Sequence, residues 1–329
     1  MTNISSRCAL RSQTENNVTA KTAFVTGASG FIGVNLVDQL GRAGWRVVAM
    51  HRASSNLAYL SRFPAERVIG DITDADSLDA ALPEGVDAVF HVAGNVSFDS
   101  AGDAAQNDDN INGTRNMVAT ARNKNARRFI HTSSGASWGL QDNIAINEES
   151  STNVDDIPIN YFRTKKRAEE EALKGLALGL DVVVVNPANV VGPFDGVIWG
   201  PFIQAIAAGK LDKVGTGGAE FCHVEEVARA HIAAFENGRR GEKYLLAGAQ
   251  ASFAEVGRTV AELVGGTAPI ASSQRDPGMS PEMFNLMSLN QIIDCSKAVR
   301  ELGFKAVALR DMYADLCDWM RAEGLLDPA

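Results

Sequence analysis

Tyr161 and Lys165 are the two residues whose types and spacing could do acid–base chemistry together. They lie in NYFRTKKRAEEEAL, residues 160–173, which has the spacing of an amphipathic helix. Residues three or four positions apart share a helical face, so a phenol and an ammonium placed this way can reach one small volume. Surface helices also carry this spacing by chance. The elements that would position the pair must therefore decide its meaning.

Strand and helix patterns alternate through the first part of the chain. Short apolar runs predict buried strands near residues 22–27, 45–50, 67–71, 87–94, 127–134 and 181–191. Helical spacing lies between them, near residues 30–44, 74–85, 107–125 and 161–179. This alternation predicts an α/β fold, a doubly wound parallel Rossmann sheet with helices on both faces.

The regular alternation weakens after about residue 190, which predicts a second and smaller unit. Stretches with Gly and Pro indicate loops and short elements over the carboxyl edge of the sheet. We expect a dinucleotide-binding domain over residues 21–188, with return segments near 221–248. Most of residues 189–329 would form a smaller α/β substrate-binding lobe, and residues 1–20 a disordered arm, with organelle targeting as an alternative.

Composition excludes several classes of function. The formal net charge of −9 disfavours a nucleic-acid partner, which needs a basic surface. No apolar run is long enough to cross a bilayer. The scattered cysteines and histidines form neither a disulfide framework nor a metal motif, so we expect no metal, a cytoplasmic enzyme and a small-molecule substrate. These residues are Cys8, Cys222, Cys295, Cys317, His51, His91, His131, His223 and His231.

A glycine-rich turn connects the first predicted strand to the first helix. In FVTGASGFIGVNL, glycines stand at positions 27, 30 and 33. Glycines here would allow a tight turn, let the backbone approach a pyrophosphate, and bring the helix close to the strand. A purely structural turn is the alternative. The position between the first strand and first helix favours a dinucleotide site.

The end of the second predicted strand bears on the choice between NAD and NADP. An acidic residue there would accept hydrogen bonds from the ribose of NAD, whereas an arginine suits the 2′-phosphate of NADP. The segment VVAMHRASSN offers Arg52 and no carboxylate. NADP(H) is therefore favoured, and NAD(H) remains possible. A solvated arginine at a strand end is the alternative interpretation.

Seven motifs in order resemble the extended short-chain dehydrogenase/reductases, also called the NAD-dependent epimerase/dehydratase family. They are TGASGFIG, GDITD, HVAG, NINGTRN, TSSGASWG, YFRTK and NPANVVGP, and FCHVEEVARAH resembles the region that returns from the substrate lobe. The closest pattern is that of the dihydroflavonol reductase, aldehyde reductase and hydroxysteroid dehydrogenase branch. The resemblance covers about residues 22 to 320.

The resemblance implies a set of cofactor contacts. Its cofactor residues are Gly27, Ser29, Gly30, Phe31, Ile32, Gly33, Arg52, Asp71, Ile72, Ala93, Gly94, Tyr161, Lys165, Pro187, Asn189 and Val190. Asp71 and Ile72 would contact the adenine. Lys165 would hydrogen-bond the nicotinamide ribose, and the segment containing Pro187 would pass beneath the nicotinamide.

The resemblance also implies catalytic roles for Ser134, Tyr161, Lys165 and Asn110. Tyr161 would donate the proton that carbonyl reduction requires, and the charge of Lys165 would lower the pKa of the phenol. Ser134 would hydrogen-bond the substrate oxygen. Asn110 would hold a local helix distortion, although an asparagine satisfied by backbone groups would look the same. Thr164 stands where serine is more usual.

Two features disfavour a nucleotide-sugar substrate. Gly135 and Ala136 follow Ser134, where sugar-nucleotide dehydratases carry Asp-Glu, and Glu220 precedes the returning segment where an arginine usually binds the diphosphate. Apolar residues suit an uncharged organic carbonyl or alcohol instead. The expected substrate contacts are Val96, Ser134, Trp138, Phe194 and Trp199, with Phe98, Ile198, Met279, Met283 and Phe284 as further candidates.

The sequence thus predicts an NADP(H)-dependent oxidoreductase that interconverts a carbonyl and a secondary alcohol on a small or medium apolar molecule. A sugar epimerase using the same Tyr161 and Lys165 is the first alternative. An NADP-binding redox sensor without turnover is the second. The helices near 104–124 and 161–178 are those through which family members dimerise, so the resemblance implies a homodimer.

Overall fold

The computed structural model describes residues 20–98 and 100–327. The strands, in chain order, begin with β1 (Thr22–Thr26), β2 (Arg46–His51), β3 (Glu66–Ile69), β4 (Ala88–His91), β5 (Arg128–Thr132), β6 (Ala145–Ile146), β7 (Val182–Pro187) and β8 (Asn189–Val191). They are followed by β9 (Lys213–Val214), β10 (Gly218–His223), β11 (Lys243–Leu246), β12 (Ala249–Ser252), β13 (Ile270–Ala271) and β14 (Ile292–Ile293).

Helices connect these strands. They are α1 (Phe31–Arg42), α2 (Ala75–Ala81), α3 (Asp103–Asn107), α4 (Gly113–Asn123), α5 (Asn160–Lys174), α6 (Trp199–Ala207), α7 (Val224–Asn237), α8 (Phe253–Val264), α9 (Pro281–Leu286), α10 (Ser296–Leu302) and α11 (Leu309–Ala322). A π-helical turn spans Asp108–Asn112. Short 3₁₀ turns span Leu60–Arg62, Ser100–Gly102, Gly135–Trp138, Val154–Asp156 and Gly175–Leu178.

The main sheet confirms the predicted doubly wound parallel fold. Its seven strands run in the order β11-β7-β5-β4-β1-β2-β3, and every neighbouring pair is parallel. The order of the strands reverses between β1 and β4, which lie side by side. A crevice forms outside the carboxyl ends of the strands at such a reversal, and dinucleotides bind there in this class of sheet.

The apolar runs read from the sequence are explained by burial on both faces of the sheet. Val182, Val183, Val184 and Val185 in β7 are all fully buried. Val183 and Val185 pack in the cluster on one face with helices α1 and α7, whereas Val182 and Val184 pack in the cluster on the other face with α4. Because successive side chains of a strand point to opposite faces, each must be apolar.

The smaller lobe is built on a three-stranded sheet in the order β12-β10-β8. Strand β10 pairs antiparallel with β12 and parallel with β8. Helices α6, α8 and α11 pack over it around a separate apolar core, which includes Phe221 and Tyr313. Two short sheets, β13-β9 and β14-β6, complete the lobe. Strand β11, after this excursion, returns to the edge of the main sheet.

The helix predicted over residues 107–125 is interrupted in the structure. Helix α3 passes into the π-helical turn Asp108–Asn112 before α4 begins at Gly113. The Thr114 hydroxyl donates to the backbone carbonyl of Asn110 at 2.7 Å within this turn. Such π turns occur often at functional sites. Spacing alone could not reveal one extra residue in a turn.

The predicted N-terminal arm and the apolar character of the helices remain to be compared with the structure. Residues 1–19 of the predicted N-terminal arm, Cys8 among them, lie outside the described residues. Among the helices of the described part, none combines the length and the apolar character that crossing a bilayer requires.

Candidate active site

The turn between β1 and α1 leaves no room for a side chain at Gly27 or Gly33. Gly27 has a positive φ of 64°, and a Cβ there would stand 2.7 Å from the backbone of Ala93. A Cβ on Gly33 would stand 2.1 Å from the carbonyl oxygen of Gly27. Gly30 precedes α1, whose first turn carries no acidic residue. Free backbone N–H groups at this helix start can therefore receive a pyrophosphate, and the turn fits a dinucleotide.

The remaining residues of the turn are also accessible in part. Ser29, Phe31 and Ile32 are half-buried, and the carbonyl of Phe31 accepts a hydrogen bond from the Asn35 side chain at 2.9 Å. Asn35 also donates to the carbonyl of Pro193 at 3.0 Å. The start of α1 is thereby tied to the loop that leads into the smaller lobe.

Arg52 lies immediately after β2, at the carboxyl edge of the sheet. Its side chain is exposed, and no ion pair or side-chain hydrogen bond to it occurs among residues 20–98 and 100–327. Its backbone N–H donates to the Ser55 hydroxyl at 3.1 Å, which closes a tight loop. No carboxylate occurs in residues 51–59. This strand end therefore presents a cation and no carboxylate that could accept hydrogen bonds from ribose hydroxyls.

Asp71 and Ile72 follow β3 and have different environments. One oxygen of the Asp71 carboxylate accepts hydrogen bonds from the backbone and the hydroxyl of Thr73, at 2.9 and 2.8 Å. Ile72 is buried, and a Cβ on Gly113 would stand 2.7 Å from its side chain. These contacts shape the turn after β3.

Gly94 connects the end of β4 with the candidate catalytic residues. A Cβ at Gly94 would stand 3.2 Å from Oδ1 of Asn110 and 3.7 Å from Nζ of Lys165. The preceding residue, Ala93, is the one that contacts Gly27. The glycine turn, the end of β4 and the ammonium of Lys165 are therefore neighbours in space, although they are far apart in sequence.

Ser134 and Tyr161 lie close enough for the Ser134 hydroxyl to lower the pKa of the phenol, although the two residues belong to separate elements. Ser134 follows β5, and its hydroxyl also accepts from the backbone N–H of Ala136 at 3.1 Å. Tyr161 lies in the first turn of α5, and the ring of Phe98 contacts it edge-on at 5.4 Å between centroids. A hydroxyl and a phenol thus converge at the half-buried mouth of the site.

The pKa of Tyr161 moves in the opposite direction from the one expected. Burial raises the pKa of the phenol above its ordinary value, and the hydrogen bond from Ser134 opposes this effect in part. Loss of solvation therefore sets the direction of this shift, and the lowering of the pKa by the Lys165 charge stays a prediction. The phenol keeps its proton at neutral pH.

Lys165 is buried beneath this mouth. Its Nζ donates a hydrogen bond to the backbone carbonyl of Thr132 at 2.8 Å. Burial lowers the pKa of Lys165 to about 8, while the carboxylate of Glu169 opposes that shift. The ammonium is therefore positively charged at neutral pH but loses its proton not far above it.

Asn110 uses its side-chain amide within the protein. Its Oδ1 accepts from the backbone N–H of Asn95 at 2.7 Å, and its Nδ2 donates to the carbonyl of Asn95 at 3.0 Å. The same Nδ2 donates to the Thr164 hydroxyl at 3.0 Å. Asn110 thereby joins the π-helical turn, the loop after β4 and helix α5. Thr164 takes part in this connection at the position where serine is more usual.

Three histidines lie buried near the lysine, as their positions in apolar runs indicated. Burial lowers the pKa of His91 to about 3 and that of His231 to about 4, and it lowers the pKa of His131 well below its ordinary range. All three are neutral at pH 7. Among the described residues no group of three or more potential ligands could hold a metal ion.

The expected substrate residues are divided between the surface and packed cores. Val96 is 43% exposed beside the site. Trp138 is buried, with the Lys243 ammonium 4.8 Å from its ring centroid, and Trp199 is buried in the core of the smaller lobe. Phe194 packs against Tyr59 and Trp319. Both tryptophans are thus packed within protein cores, and substrate contacts at Trp138 and Trp199 stay a prediction.

The segment beneath the expected nicotinamide position lies at the junction of the two sheets. Pro187 ends β7 and is buried, whereas Asn189 and Val190 in β8 are half-buried. The Asn189 side chain donates to the carbonyl of Glu220 at 3.0 Å. Glu220 is buried, and burial raises its pKa to about 7. A negative or neutral carboxyl, and no cation, thus occupies this position in β10.

A cavity of about 540 Å³ opens next to Tyr161. Phe98, which touches the Tyr161 ring, lines it, and Leu140 and Leu286 belong to both the cavity wall and the apolar cluster that includes Tyr161. The other lining residues are Ser100, Asp103, Asn153, Asp156, Ile157, Pro158, Ile159, Asn160, Glu282, Asn285 and Leu289. The lining contains carboxylates and no lysine or arginine.

The fold and this arrangement define a nicotinamide-dependent enzyme of the short-chain dehydrogenase/reductase type. The sequence model of the family described as "NAD dependent epimerase/dehydratase family" matches residues 23–247. The chain belongs to that family. It is an NAD(P)-dependent oxidoreductase in class.

Individual relatives cover nearly the whole chain. "Sterol demethylase protein B" of Methylococcus capsulatus is 31% identical over 93% of this chain and 100% of its own length. A "putative dihydroflavonol 4-reductase" of Synechocystis sp. is 30% identical over 92% of this chain and 95% of its own. The dTDP-glucose 4,6-dehydratase DesIV of Streptomyces venezuelae, solved with NAD and TYD bound, is 25% identical, with a TM-score of 0.80 over 93% of this chain and 99% of that one.

Sequence reasoning missed Glu169. This residue is 1% exposed, and its carboxylate lies between helix α5 and the main sheet. The available signal was its position four residues after Lys165, which puts it on the same helical face. The sequence could not show that three other elements send polar groups to it.

Proposed function

We propose that this protein is an NADP(H)-dependent oxidoreductase that interconverts a carbonyl and a secondary alcohol on an apolar organic molecule. The observation that carries this proposal is the convergence of Ser134 and Tyr161 above the buried ammonium of Lys165, beside the 540 Å³ cavity. Tyr161, Ser134 and Lys165 would act on the reacting groups, and Asn110 would hold Thr164 and helix α5 in position.

In this mechanism Tyr161 donates its proton to the carbonyl oxygen of the substrate. A phenol that is protonated at neutral pH is in the form that reduction needs. The Ser134 hydroxyl hydrogen-bonds the same oxygen and stabilises the negative charge that develops on it. NADPH held by the glycine turn and Lys165 would supply the hydride for the carbonyl carbon and would leave as NADP⁺. Solvent then returns a proton to Tyr161, and the net change is a carbonyl converted to an alcohol.

Lys165 would hold the cofactor rather than acidify the phenol directly. Its ammonium lies 3.7 Å from where a Cβ on Gly94 would be, at the end of β4 where the dinucleotide crevice begins. An ammonium there can donate to ribose hydroxyls. The pyrophosphate would lie on the glycine turn, with Asp71, Ile72, Ala93, Pro187, Asn189 and Val190 along the rest of the crevice.

NADP(H) is proposed over NAD(H) because of Arg52. The guanidinium is exposed at the end of β2 and is free to pair with a 2′-phosphate, while residues 51–59 offer no carboxylate for the ribose hydroxyls of NAD. The cofactor would bind mainly to residues 21–188 and the substrate to the lobe formed by most of residues 189–329.

An uncharged apolar substrate is proposed from the cavity. A volume of about 540 Å³ is within the range of pockets for organic ligands. Relatives named for a sterol and for a dihydroflavonol are consistent with an apolar, ring-containing substrate. Asp103, Asp156 and Glu282 line the cavity, so a phosphate or carboxylate on the substrate would meet like charge.

A sugar epimerase is the second candidate, because other similar structures are sugar epimerases and dehydratases. Glu220 and the acidic cavity lining weigh against a nucleotide diphosphate, and Gly135 and Ala136 stand where a dehydratase has its acid and base. The retained Tyr161 and Lys165 weigh against a redox sensor without turnover. Purified protein carrying tightly bound NAD(H) would favour the epimerase.

A homodimer is proposed through the outer faces of α4 and α5, the helices that correspond to residues 104–124 and 161–178. Arg115 on α4 and Glu171 on α5 already bridge these two helices at 3.1 Å. They therefore form a continuous surface. Light scattering after size-exclusion chromatography tests this assembly, and a mass of one chain would contradict it.

The direct test of the proposed function is NADPH oxidation across a panel of carbonyl compounds. The panel contains flavonoid and steroid ketones, small aldehydes and a nucleotide 4-ketosugar. We expect turnover with the uncharged ring-containing ketones. Turnover with the ketosugar alone would favour the sugar-nucleotide alternative, and binding of NADPH without any turnover would favour the sensor.

A further inference from the structure

Glu169 lies on the hidden side of the site, one helical turn after Lys165 in α5. Its side chain is 1% exposed. A buried carboxylate is costly unless hydrogen bonds and an opposite charge replace its water. What surrounds Glu169 therefore indicates what this carboxylate does.

Three elements of the main sheet send donors to this carboxylate. Ser133, at the end of β5, donates from Oγ to Oε2 at 2.9 Å. Asn186 in β7 donates from Nδ2 to the same oxygen at 2.7 Å, and Lys243 in β11 donates from Nζ to Oε1 at 3.0 Å. Glu169 is thus fully satisfied, and it joins helix α5 to three neighbouring strands.

The first two of these contacts also determine where Ser134 stands. Ser133 precedes Ser134 directly, and its hydroxyl lies 2.8 Å from the hydroxyl of Ser137 in the 3₁₀ turn that Ser134 begins. Asn186 donates from the same Nδ2 to the backbone carbonyl of Ser134 at 3.2 Å. The segment that carries the candidate substrate-binding hydroxyl is therefore fastened to Glu169.

The second consequence concerns the charge of Lys165. Burial lowers the pKa of Lys165 to about 8, and Glu169 is the group that opposes this shift. The other titratable groups around the lysine supply no comparable negative charge: burial keeps the pKa values of His91, His131 and His231 low and raises that of Tyr161. The carboxylate of Asp109, in the π-helical turn, accepts a hydrogen bond from the side-chain amide of Asn95 at 3.0 Å, so it pairs with the loop after β4.

We propose that Glu169 is a positioning residue of this site: its carboxylate fixes the strand end that carries Ser134 and supplies a negative charge one helical turn away from Lys165. This rests on the proposed function, since it assigns roles to Ser134 and Lys165 within it. Lys243 supplies the positive charge that pairs with Glu169, and its ammonium also lies 4.8 Å from the ring centroid of Trp138.

The test compares Glu169→Gln with Glu171→Gln. Both residues are acidic, lie in α5 and have little exposure, but Glu171 pairs with Arg115 and Lys174 on the outer side of the helix. The measurement is NADPH affinity as a function of pH, followed by fluorescence. In the unaltered protein we expect affinity to fall as pH rises through about 8, where Lys165 loses its charge.

Glu169→Gln is expected to move the midpoint of that fall down by about one pH unit, because an opposite charge near a titrating group shifts its pKa by about one unit or more. Glu171→Gln is expected to leave the midpoint unchanged. A merely structural role for Glu169 would weaken binding equally at every pH. An unshifted midpoint in folded Glu169→Gln protein overturns the proposal.

A second variant covers the case in which Glu169→Gln fails to fold. Glu169→Gln combined with Lys243→Gln removes both charges of the buried pair, so no unpaired charge is left behind. Its midpoint is expected to lie below that of Lys243→Gln alone, because these two variants differ only in the charge of Glu169, and equal midpoints in the two variants also overturn the proposal. Because binding requires no turnover, protein that binds NADPH but reduces no carbonyl contradicts the proposed function and leaves this inference standing.

Discussion

Gly33 and Gly27 are in contact across the turn between β1 and α1: a Cβ on Gly33 would stand 2.1 Å from the carbonyl oxygen of Gly27. A side chain on Gly33 would therefore clash with this backbone oxygen unless helix α1 moved away from β1. The contact holds the start of α1 against the end of β1, where the cofactor phosphates are proposed to bind.

Gly33→Ala is therefore expected to destabilise the fold by about 1–3 kcal/mol and to weaken NADPH binding, since overpacking forces the backbone to shift. Gly41→Ala is the matched control. Gly41 lies in the same helix with nothing within 4 Å of its ideal Cβ, so alanine should raise the free energy of unfolding by roughly 0.5–1 kcal/mol. Urea unfolding measures both. Equal effects of the two substitutions would contradict the contact.

Tyr161→Phe is expected to lower carbonyl reduction by about 10²-fold or more, because a positioned general acid contributes a factor of that order. NADPH affinity should change little, since the phenol is proposed to contact the substrate oxygen. Tyr59→Phe serves as control: Tyr59 packs against Phe194 and Trp319, away from Ser134. Steady-state kinetics and a binding titration measure the two effects. Most of the activity surviving in Tyr161→Phe would remove this tyrosine from the mechanism.

The pH dependence follows from two opposite shifts. The pKa of Lys165 is lowered to about 8, so its charge is present below pH 8 and is lost as pH rises through that value. The pKa of Tyr161 is raised, so its proton stays on across the same range. The rate of carbonyl reduction should therefore be level below pH 8 and fall above it. A rate that keeps rising between pH 8 and 9 would contradict these assignments.

Arg52→Ala is expected to weaken NADPH binding by about tenfold or more and to leave NADH binding nearly unchanged, because only NADPH has the 2′-phosphate that the guanidinium would pair with. Arg258→Ala, which removes an exposed arginine from α8 in the smaller lobe, is the control for net charge. Parallel loss of affinity for both cofactors in Arg52→Ala would exclude recognition of the 2′-phosphate.

The cavity beside Tyr161 predicts discrimination by substrate charge. A ketone bearing a carboxylate at the end remote from the carbonyl should be reduced less efficiently than its neutral methyl ester, because Asp103, Asp156 and Glu282 line the cavity. Replacing Asp156 by Asn and Glu282 by Gln together should narrow that difference in kcat/KM. An unchanged ratio in the double variant would show that the substrate does not reach these side chains.

The sequence by itself determined the repeating architecture and the main candidates for chemistry. Buried runs such as residues 182–185 must be apolar on both faces of a parallel sheet, and glycine is required at Gly27 and Gly33. Both patterns can therefore be recognised from short stretches of the sequence. Tyr161 and Lys165 share a helical face for the same kind of local reason. The family resemblance was carried by short motifs of this type.

Only the tertiary structure decided how those groups are surrounded. Desolvation of Tyr161 depends on Phe98 and the neighbouring loops, so the direction of its pKa shift could not follow from its spacing to Lys165. Trp138 and Trp199 look like pocket residues in sequence, but packing covers them. The bonds from Ser133, Asn186 and Lys243 to Glu169 join strands that are distant along the chain, and long-range contacts of this kind leave no periodicity to read.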